Sequence, residues 1–245
     1  EVVEVIGEKL EKIEETSQMS RIEVPIEQIK KMPALLGEVD VLKTLQLLPG
    51  VQSGGEGQSG LYVRGGSPDQ NLILLDGVPI YNVSHLLGFF SVFNADAIKT
   101  VTLTKGGIPA RFGGRLSSVL EINMKEGNME TFKGEGSFGA ISSKLTLEGP
   151  IIKDKASFIV AARRSYIDVL AKPFLKGDLD GTVLNFYDLT VKTNYNINEK
   201  NRVFLSGYLG RDNFGFGDDA GFNWGNGTAT ARWNHLFNEK LFSNL

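Results

Sequence analysis

The chain has 245 residues, with 26 Lys and Arg against 29 Asp and Glu and a formal net charge of -3. Mild acidity and scattered basic residues argue against a nucleic-acid partner, and the lack of cysteine excludes disulfides and thiolate metal sites. Two histidines are too few for a histidine metal site, so we expect no metal and no other cofactor.

Residues 1–127 show a mixed α/β pattern. Pro25 opens a short helical turn that Pro33 ends, and a second helix is predicted from Val39 to Leu48, whose apolar residues follow helical spacing. A glycine-rich polar loop comes next. Short strands, joined by turns that carry Gly-Gly pairs, are then predicted at residues 61–64, 72–75, 99–104 and 119–124.

The pattern changes to a period of two in residues 128–245. From Tyr187 to Ile197 apolar side chains alternate with polar ones, which predicts a strand with one apolar and one polar face. The same alternation recurs at residues 228–237 and, more briefly, at 144–148. We expect about six or seven strands of about 9 to 11 residues, beginning with a short strand around residues 133–138.

The connections between these strands differ in length. Short polar turns at residues 153–155, 198–201 and 238–240 alternate with longer irregular segments at 165–185 and 211–227. This asymmetry is typical of an outer-membrane barrel, whose sheet must close because open edges would leave unpaired backbone groups in hydrocarbon. A soluble antiparallel sheet, which also alternates, is the alternative. A small closed barrel has no room for residues 1–127, so we expect a piece of a larger protein that starts at a processed or truncated Glu1.

Two segments carry a family resemblance. Residues 63–79, which read VRGGSPDQNLILLDGVP, and residues 97–114, which read AIKTVTLTKGGIPARFGG, resemble the plug domain of TonB-dependent outer-membrane receptors, and the turn at residues 48–51 fits as well. The resemblance covers roughly residues 25–125. The segment 141–150 is similar to receptors of Bacteroidota-type bacteria.

The resemblance implies a three-part organisation. A segment like the TonB box and a tether occupy residues 1–15, an α+β plug domain occupies residues 16–127, and residues 128–245 are the first antiparallel strands of a transmembrane β-barrel of about 22 strands. The plug would then lie inside the barrel and block its lumen.

The implied function is active transport of a scarce extracellular ligand across the bacterial outer membrane, with the plug gating the lumen. The implied partners are TonB, outer-membrane lipid and a small ligand such as a siderophore, cobalamin, a glycan or a peptide; a surface lipoprotein is a further candidate. A signalling or secretion-associated receptor of the same architecture and a soluble β-rich binding module are the alternatives. We expect no enzyme, because the sequence has no P-loop and no Gly-x-Ser-x-Gly elbow.

The first residues of the chain resemble the TonB box. An extended β-branched segment can add as a strand to the edge of a partner's sheet, and the residues expected to bind TonB are Val2, Val3, Glu4, Val5 and Ile6. An ordinary edge strand of the plug is the alternative.

Two cations match family positions that face acidic residues of the barrel wall. Arg64 and Lys105 would act as a releasable latch, since breaking a desolvated ion pair costs about 3–5 kcal/mol; simple solvation on the plug surface is the alternative.

The resemblance also implies that three plug loops face the ligand. For each residue in them, a solvated loop is the alternative. The residues expected to meet the ligand are Ser53, Gln58, Ser67, Asp69, Gln70, Tyr81, Asn82 and His85.

Further residues match turns that shape the plug from within. The resemblance assigns this structural role to Gly65, Asp76, Gly77, Arg111, Phe112 and Gly113.

The predicted long segment 211–227 carries four aromatic residues. They would line the external mouth of the barrel or form an aromatic girdle at the membrane interface: Phe214, Phe216, Phe222 and Trp224.

Overall fold

The computed structural model describes residues 20–32, 37–55, 58–173, 181–216 and 220–245. The expected TonB-binding residues Val2, Val3, Glu4, Val5 and Ile6 lie outside these ranges. Within them the chain forms an N-terminal domain with a five-stranded sheet and two short hairpin-like pairs, followed by a seven-stranded sheet.

In its described residues, the N-terminal domain contains two short α-helices and nine strands. The helices are α1 (Ile26–Lys30) and α2 (Val41–Leu45); the strands are β1 (Arg21–Pro25), β2 (Val51–Gln52), β3 (Tyr62–Val63), β4 (Asn71–Leu75), β5 (Val78–Pro79), β6 (Ser84–His85), β7 (Phe90–Ser91), β8 (Ile98–Thr104) and β9 (Ser118–Met124). The sheet order is β1-β8-β9-β4-β5, with β4 parallel to β9 and the other neighbours antiparallel. The sequence predicted both helices and strands β3, β4, β8 and β9, but not β1, β2, β5, β6 or β7.

Apolar side chains of the helices and central strands form the core of this domain. Leu42 and Leu45 of α2 pack in one buried cluster with Val101 and Leu103 of β8. Asp40 caps the N-terminus of helix α2. Its side chain accepts a hydrogen bond of 3.0 Å from the backbone N–H of Lys43 and so satisfies a donor that the first helical turn leaves unpaired.

Strands β4 and β5 are joined by the two-residue turn Asp76-Gly77, as the sequence predicted. Both residues have positive φ, +48° and +87°, which is the backbone that a type I′ turn requires and that an Asp-Gly pair favours. The turn brings the end of β4 to the C-terminal sheet.

The C-terminal sheet consists of seven strands in sequential antiparallel order. They are β10 (Lys133–Phe138), β11 (Ser142–Ile152), β12 (Ala156–Ser165), β13 (Val183–Asn198), β14 (Asn201–Phe216), β15 (Ala220–Asn238) and β16 (Leu241–Asn244), with helix α3 (Ile167–Ala171) between β12 and β13. The predicted fold class is therefore confirmed: an α+β domain followed by the antiparallel strands of a partial barrel.

The two faces of this sheet are reversed relative to a soluble protein. On β13 the polar residues Asp188, Thr190, Lys192 and Asn194 are buried against the N-terminal domain, whereas the apolar Leu189 and Tyr195 point away from it and are exposed. An antiparallel sheet of a soluble protein buries its apolar face and leaves the polar one in water. The observed orientation is that of a barrel wall with a polar interior.

The prediction of a long irregular segment at residues 211–227 is wrong. Strand β14 continues to Phe216 and β15 begins at Ala220, so that these strands reach 16 and 19 residues. Glycine and asparagine lower strand propensity here, but regular pairing continues through Phe214 opposite Phe222 and Gly215 opposite Gly221. Phe214, Phe222 and Trp224 therefore lie on strands.

In the part of the chain that the structure describes, no helix is long and apolar enough to cross a membrane.

Candidate functional site

A buried chain of charged side chains joins the N-terminal domain to the C-terminal sheet. Four neighbouring strands, β11 to β14, each contribute one charged residue, and the N-terminal domain contributes two. We call this set the interface network: Lys144, Arg163, Asp188 and Asp212 from the sheet, with Glu38 and His85 from the N-terminal domain.

The first half of the network places two cations beside each other. Lys144 on β11 and Arg163 on β12 are directly opposite partners in the strand ladder, an arrangement that repels. Glu38 offsets the repulsion, because its Oε2 lies 3.3 Å from Lys144 Nζ and 3.5 Å from Arg163 Nη1. Its other carboxylate oxygen accepts a hydrogen bond from the hydroxyl of Ser142.

The second half places two carboxylates around a histidine. Asp188 Oδ1 lies 2.6 Å from His85 Nε2, and Asp212 Oδ2 lies 2.7 Å from His85 Nδ1. An ionised carboxylate only accepts hydrogen bonds, so both ring nitrogens donate and His85 is an imidazolium. Burial lowers the pKa of His85, but the charge of Asp188 and the hydrogen bonds to both carboxylates outweigh burial and hold the pKa above its ordinary value, against the opposing charge of Arg163.

Asp188 connects the two halves. Its Oδ2 accepts hydrogen bonds from Arg163 Nε at 2.8 Å and Nη2 at 2.5 Å, and its Oδ1 also accepts one of 2.6 Å from the hydroxyl of Tyr208. Arg163 Nη2 donates a further hydrogen bond of 2.8 Å to the carbonyl of Ser91. Every buried charge of the network is paired, which compensates its loss of hydration.

The network corrects one expectation. His85 was expected in a loop that faces the ligand, but it is 1% exposed and its ring stacks on Phe186 with the centroids 4.4 Å apart. The expectation of an accessible His85 is wrong, because its ring is hydrogen-bonded to Asp188 and Asp212 of the sheet and is buried between the two parts of the chain. Sequence patterns gave no signal for this, although the alternation of β13 did place Asp188 on the polar face.

A second ionic contact lies at the Asp76-Gly77 turn. Lys192 Nζ on β13 lies 2.8 Å from Asp76 Oδ2 and donates a 3.2 Å hydrogen bond to the carbonyl of Met124. Arg232 on β15 donates a 2.9 Å hydrogen bond to the carbonyl of Asp76. Asp76 was predicted only as a turn residue, and the structure adds a role at the interface between the two parts.

A third contact fastens the segment that leads from the N-terminal domain into the C-terminal sheet. Arg202 Nη2 lies 2.5 Å from Glu126 Oε2, and Ser157 and Asn194 donate to the carbonyl of Glu126 at 2.7 Å and 2.5 Å. This contact is partly exposed, unlike the interface network.

The predicted latch residues lie together, away from these contacts. Arg64 and Lys105 line a cleft of about 550 Å³ with the glycine pairs that follow each of them. Arg64 donates to the hydroxyl of Ser20 at 2.8 Å and Lys105 to the carbonyl of Pro49 at 2.6 Å. Burial and the charge of Arg64 lower the pKa of Lys105. Neither cation pairs with an acid among the described residues, and the latch stays a prediction.

The remaining predicted ligand residues lie in surface loops. Tyr81 is 80% exposed, and the backbone of Asn82 exchanges two hydrogen bonds with the side chain of Asn226 on β15, at 3.4 Å and 2.5 Å. Ser53, Gln58 and Asp69 are exposed, and Ser67 and Gln70 are half-buried. Ligand contact by these residues stays a prediction.

The turn residues divide into two groups. Gly65 and Gly77 adopt positive φ of +84° and +87°, as expected for turn glycines. Arg111 and Gly113 are exposed; the guanidinium of Arg111 lies over the ring of Phe112 and 3.8 Å from Glu121. The segment from Arg111 to Gly113 thus forms a surface turn.

Comparison with known proteins identifies the N-terminal domain. The family model described as "TonB-dependent Receptor Plug Domain" matches residues 13–118. Among solved structures, the chain is similar to the siderophore receptor PirA from Acinetobacter baumannii, with 18% identity, a TM-score of 0.63 and coverage of 89% of this chain and 38% of that one.

Two further solved structures show the same arrangement. The outer membrane transporter YddB from Escherichia coli matches with 15% identity, a TM-score of 0.61 and coverage of 88% of this chain and 36% of that one. FpvA of P. aeruginosa, bound to heterologous pyoverdine, matches with 14% identity, a TM-score of 0.63 and coverage of 91% and 32%. These similarities establish the fold, and the chain spans about a third of the length of each structure.

Proposed function

Because this chain carries the plug domain of a TonB-dependent receptor followed by the antiparallel strands of a partial barrel, we propose that the protein actively transports a scarce extracellular ligand across the bacterial outer membrane. The plug gates the lumen of the barrel, and the exposed apolar face of the strands contacts lipid. No catalytic step is part of the proposal.

The observation that carries the proposal is the polar interface between plug and wall. The wall buries Asp188, Lys192 and Asp212 against the plug and exposes its apolar side chains on the opposite face. When a polar interface opens, the separated charges regain hydration, whereas an apolar interface would expose hydrocarbon to water. A plug held in this way is stable when closed and can still be moved.

We place the mechanical input at the N-terminus, where residues 1–7 would add as a strand to the sheet of TonB. The structure supports a path for force from there. Strand β1 is an edge strand of the plug sheet, and Ser20, just before it, is held by the backbone N–H of Lys105 at 3.0 Å and by the side chain of Arg64 at 2.8 Å. Tension from residues 1–7 would therefore reach β1 and this Arg64–Lys105 region first.

The ligand that we propose is small and extracellular. PirA is named a siderophore receptor, FpvA is described as bound to pyoverdines, and another similar structure is named a copper transporter. A siderophore is therefore the first class to test, followed by cobalamin, glycans and peptides. Tyr81 and Asn82 on the plug surface are the side chains that we expect the ligand to meet. A surface lipoprotein would be an accessory partner.

Deletion of residues 1–7 in the full-length receptor tests the coupling. Uptake should be abolished while ligand binding to whole cells is unchanged, because the segment contacts TonB and not the ligand. Replacement of residues 9–15 by a flexible linker of equal length is the matched control and should leave uptake intact. Persistent uptake after the deletion would contradict the assignment.

A further inference from the structure

One turn of the plug has a backbone that its side chains disfavour. Leu86, Leu87 and Gly88 have consecutive positive φ values of +50°, +58° and +108°. Bulky L-residues rarely adopt this region, and such strain persists only where surrounding structure enforces it. Leu87 is 67% exposed, so burial of its own side chain does not explain its conformation.

One carboxylate of the wall holds the start of the turn. Asp212 on β14 accepts a 2.9 Å hydrogen bond from the backbone N–H of Leu86 through Oδ1, and its Oδ2 lies 2.7 Å from Nδ1 of His85. Asp212 is completely buried, and Leu86 packs in a cluster with Phe90, Phe186 and Phe214. We call the contacts of Asp212 with His85 and Leu86 the Asp212 clamp.

The clamp is connected to the hairpin formed by β14 and β15. Phe214 lies two residues beyond Asp212 on the same face of β14. Its ring stacks on Phe222 with the centroids 5.1 Å apart and packs at a tilt against Trp224 at 5.0 Å. Phe222 is 45% exposed, and the indole N–H of Trp224 is buried without a hydrogen-bond partner among the described residues. A displacement of this aromatic group would move the strand that carries Asp212.

The turn is also connected to the interior of the plug. The carbonyl of Gly88 accepts a 2.6 Å hydrogen bond from the backbone N–H of Ser59. The carbonyls on either side, of Gln58 and Gly60, accept hydrogen bonds of 2.8 Å and 2.9 Å from the side chain of Gln46, which ends helix α2. A change in the turn therefore has a continuous path to residues 58–60 and to α2.

We propose that the Asp212 clamp is a conformational relay, in which movement of the β14–β15 hairpin releases the strained turn at Leu86–Gly88 and the relaxing turn displaces residues 58–60 and α2. The relay rests on the proposed gating function, since it assigns a signal to the plug. It has two states because the turn is either clamped and strained or free and relaxed. The wall hairpin biases the equilibrium between them through one carboxylate.

Hydrogen exchange of the purified full-length receptor in detergent tests the relay without TonB or uptake. Asp212→Asn keeps the size of the side chain and removes its charge, and it should accelerate exchange at least about tenfold in residues 84–93 and in residues 58–60. Asp168→Asn, on helix α3 between β12 and β13, where the carboxylate accepts hydrogen bonds from Asn185 and the backbone N–H of Val169, is the matched control and should change neither segment. Unchanged exchange in Asp212→Asn would overturn the clamp.

The stored strain is tested by Leu87→Gly, since glycine adopts positive φ without cost. In this background Asp212→Asn should accelerate exchange much less than in the wild type; an equal acceleration would show that no strain drives release.

The path from the turn to α2 has its own contrary outcome. If Asp212→Asn accelerates exchange only in residues 84–93, the relay to α2 is overturned. If Asp212→Asn fails to assemble, His85→Gln removes the other contact of the clamp and carries the same expectations. A working relay with no TonB-dependent uptake would refute the transport function alone.

Discussion

Lys144 and Arg163 face each other directly across the β11–β12 ladder, and the plug inserts the carboxylate of Glu38 beside both. The same arrangement recurs with opposite sign where His85 of the plug bridges Asp188 and Asp212 of the wall. In each case the wall holds two like charges and the plug supplies the opposite one. The plug thus complements the buried charges of the wall, in which Arg163 and Asp188 already form one ion pair.

The first prediction concerns Glu38. Glu38→Gln leaves Lys144 and Arg163 buried and opposed, and we expect it to lower the stability of the plug–wall interface by about 3–5 kcal/mol, the usual cost of stranding a buried charge. Adding Lys144→Met should restore part of this loss, because Arg163 keeps Asp188 as its partner. Denaturant unfolding of the full-length receptor measures both variants. Additive losses in the double variant would contradict the charge-complement interpretation.

The second prediction concerns pH. His85 is faced by Asp188 on β13, Asp212 and Tyr208 on β14, and Arg163 on β12, and the two carboxylates raise its pKa above the ordinary value. The imidazolium therefore contributes its full stabilisation below the unfolded pKa of about 6.5, and this contribution is lost as pH rises through the folded pKa. The plug should loosen on the alkaline side.

Hydrogen exchange of β6 and β7 as a function of pH, corrected for the intrinsic exchange rate, measures this effect. His85→Gln should remove the pH-dependent part, while His235→Gln, which alters the other histidine on β15, should retain it. An alkaline loosening that survives His85→Gln would assign the titration to another group.

The third prediction concerns the outer face of the wall. Leu205 on β14 is 54% exposed and points away from the plug. Leu205→Arg should destabilise the barrel by up to about 2–4 kcal/mol, the cost of a cation at the bilayer midplane, and should lower assembly measured by heat-modifiable migration. Leu116→Arg changes an equally large leucine, 85% exposed on the plug, and should assemble normally. Normal assembly of Leu205→Arg in lipid would favour a soluble module.

Local patterns predicted those parts of the fold that short stretches of sequence determine. The alternation from Tyr187 to Ile197 gave strand β13 with its correct faces, and Asp76-Gly77 gave the hairpin turn. The extension of β14 and β15 was not predictable, because glycine and asparagine are poor strand formers on their own and only the pairing of the two strands makes them extend to Phe216 and from Ala220.

The candidate site was not predictable for a different reason. His85 is separated in sequence by 103 residues from Asp188 and by 127 from Asp212, and no periodicity links positions so far apart. A histidine in a polar loop is equally compatible with solvent, ligand or an ion pair. Only the three-dimensional packing of the plug against β13 and β14 selects the ion pair.

The fourth prediction concerns the segment between plug and wall. Gly127 has φ of +79°, and a Cβ there would lie 2.3 Å from the carbonyl oxygen of Phe158 on β12. Gly127→Ala should destabilise the junction by about 1–3 kcal/mol, through overpacking against backbone and the positive φ. Gly113→Ala is the control, since no atom lies within 4 Å of its Cβ position. Equal thermal stability of the two variants would contradict a tightly packed junction.

The last prediction distinguishes a latch from a solvated surface at Arg64 and Lys105. Burial lowers the pKa of Lys105, and the charge of the neighbouring Arg64 lowers it further, so the two cations repel when no acid lies between them. If an acidic group of the complete wall lies between them, Arg64→Gln strands that acid and should destabilise the closed plug by up to about 3–5 kcal/mol. If no acid is present, the same substitution removes repulsion and should leave stability unchanged or raise it. The shorter glutamine side chain would lose the exposed hydrogen bond to Ser20, and this small loss is common to both cases. Arg111→Gln, at an exposed cation of the plug, gives the background value, and the sign of the difference in unfolding free energy decides between the two interpretations.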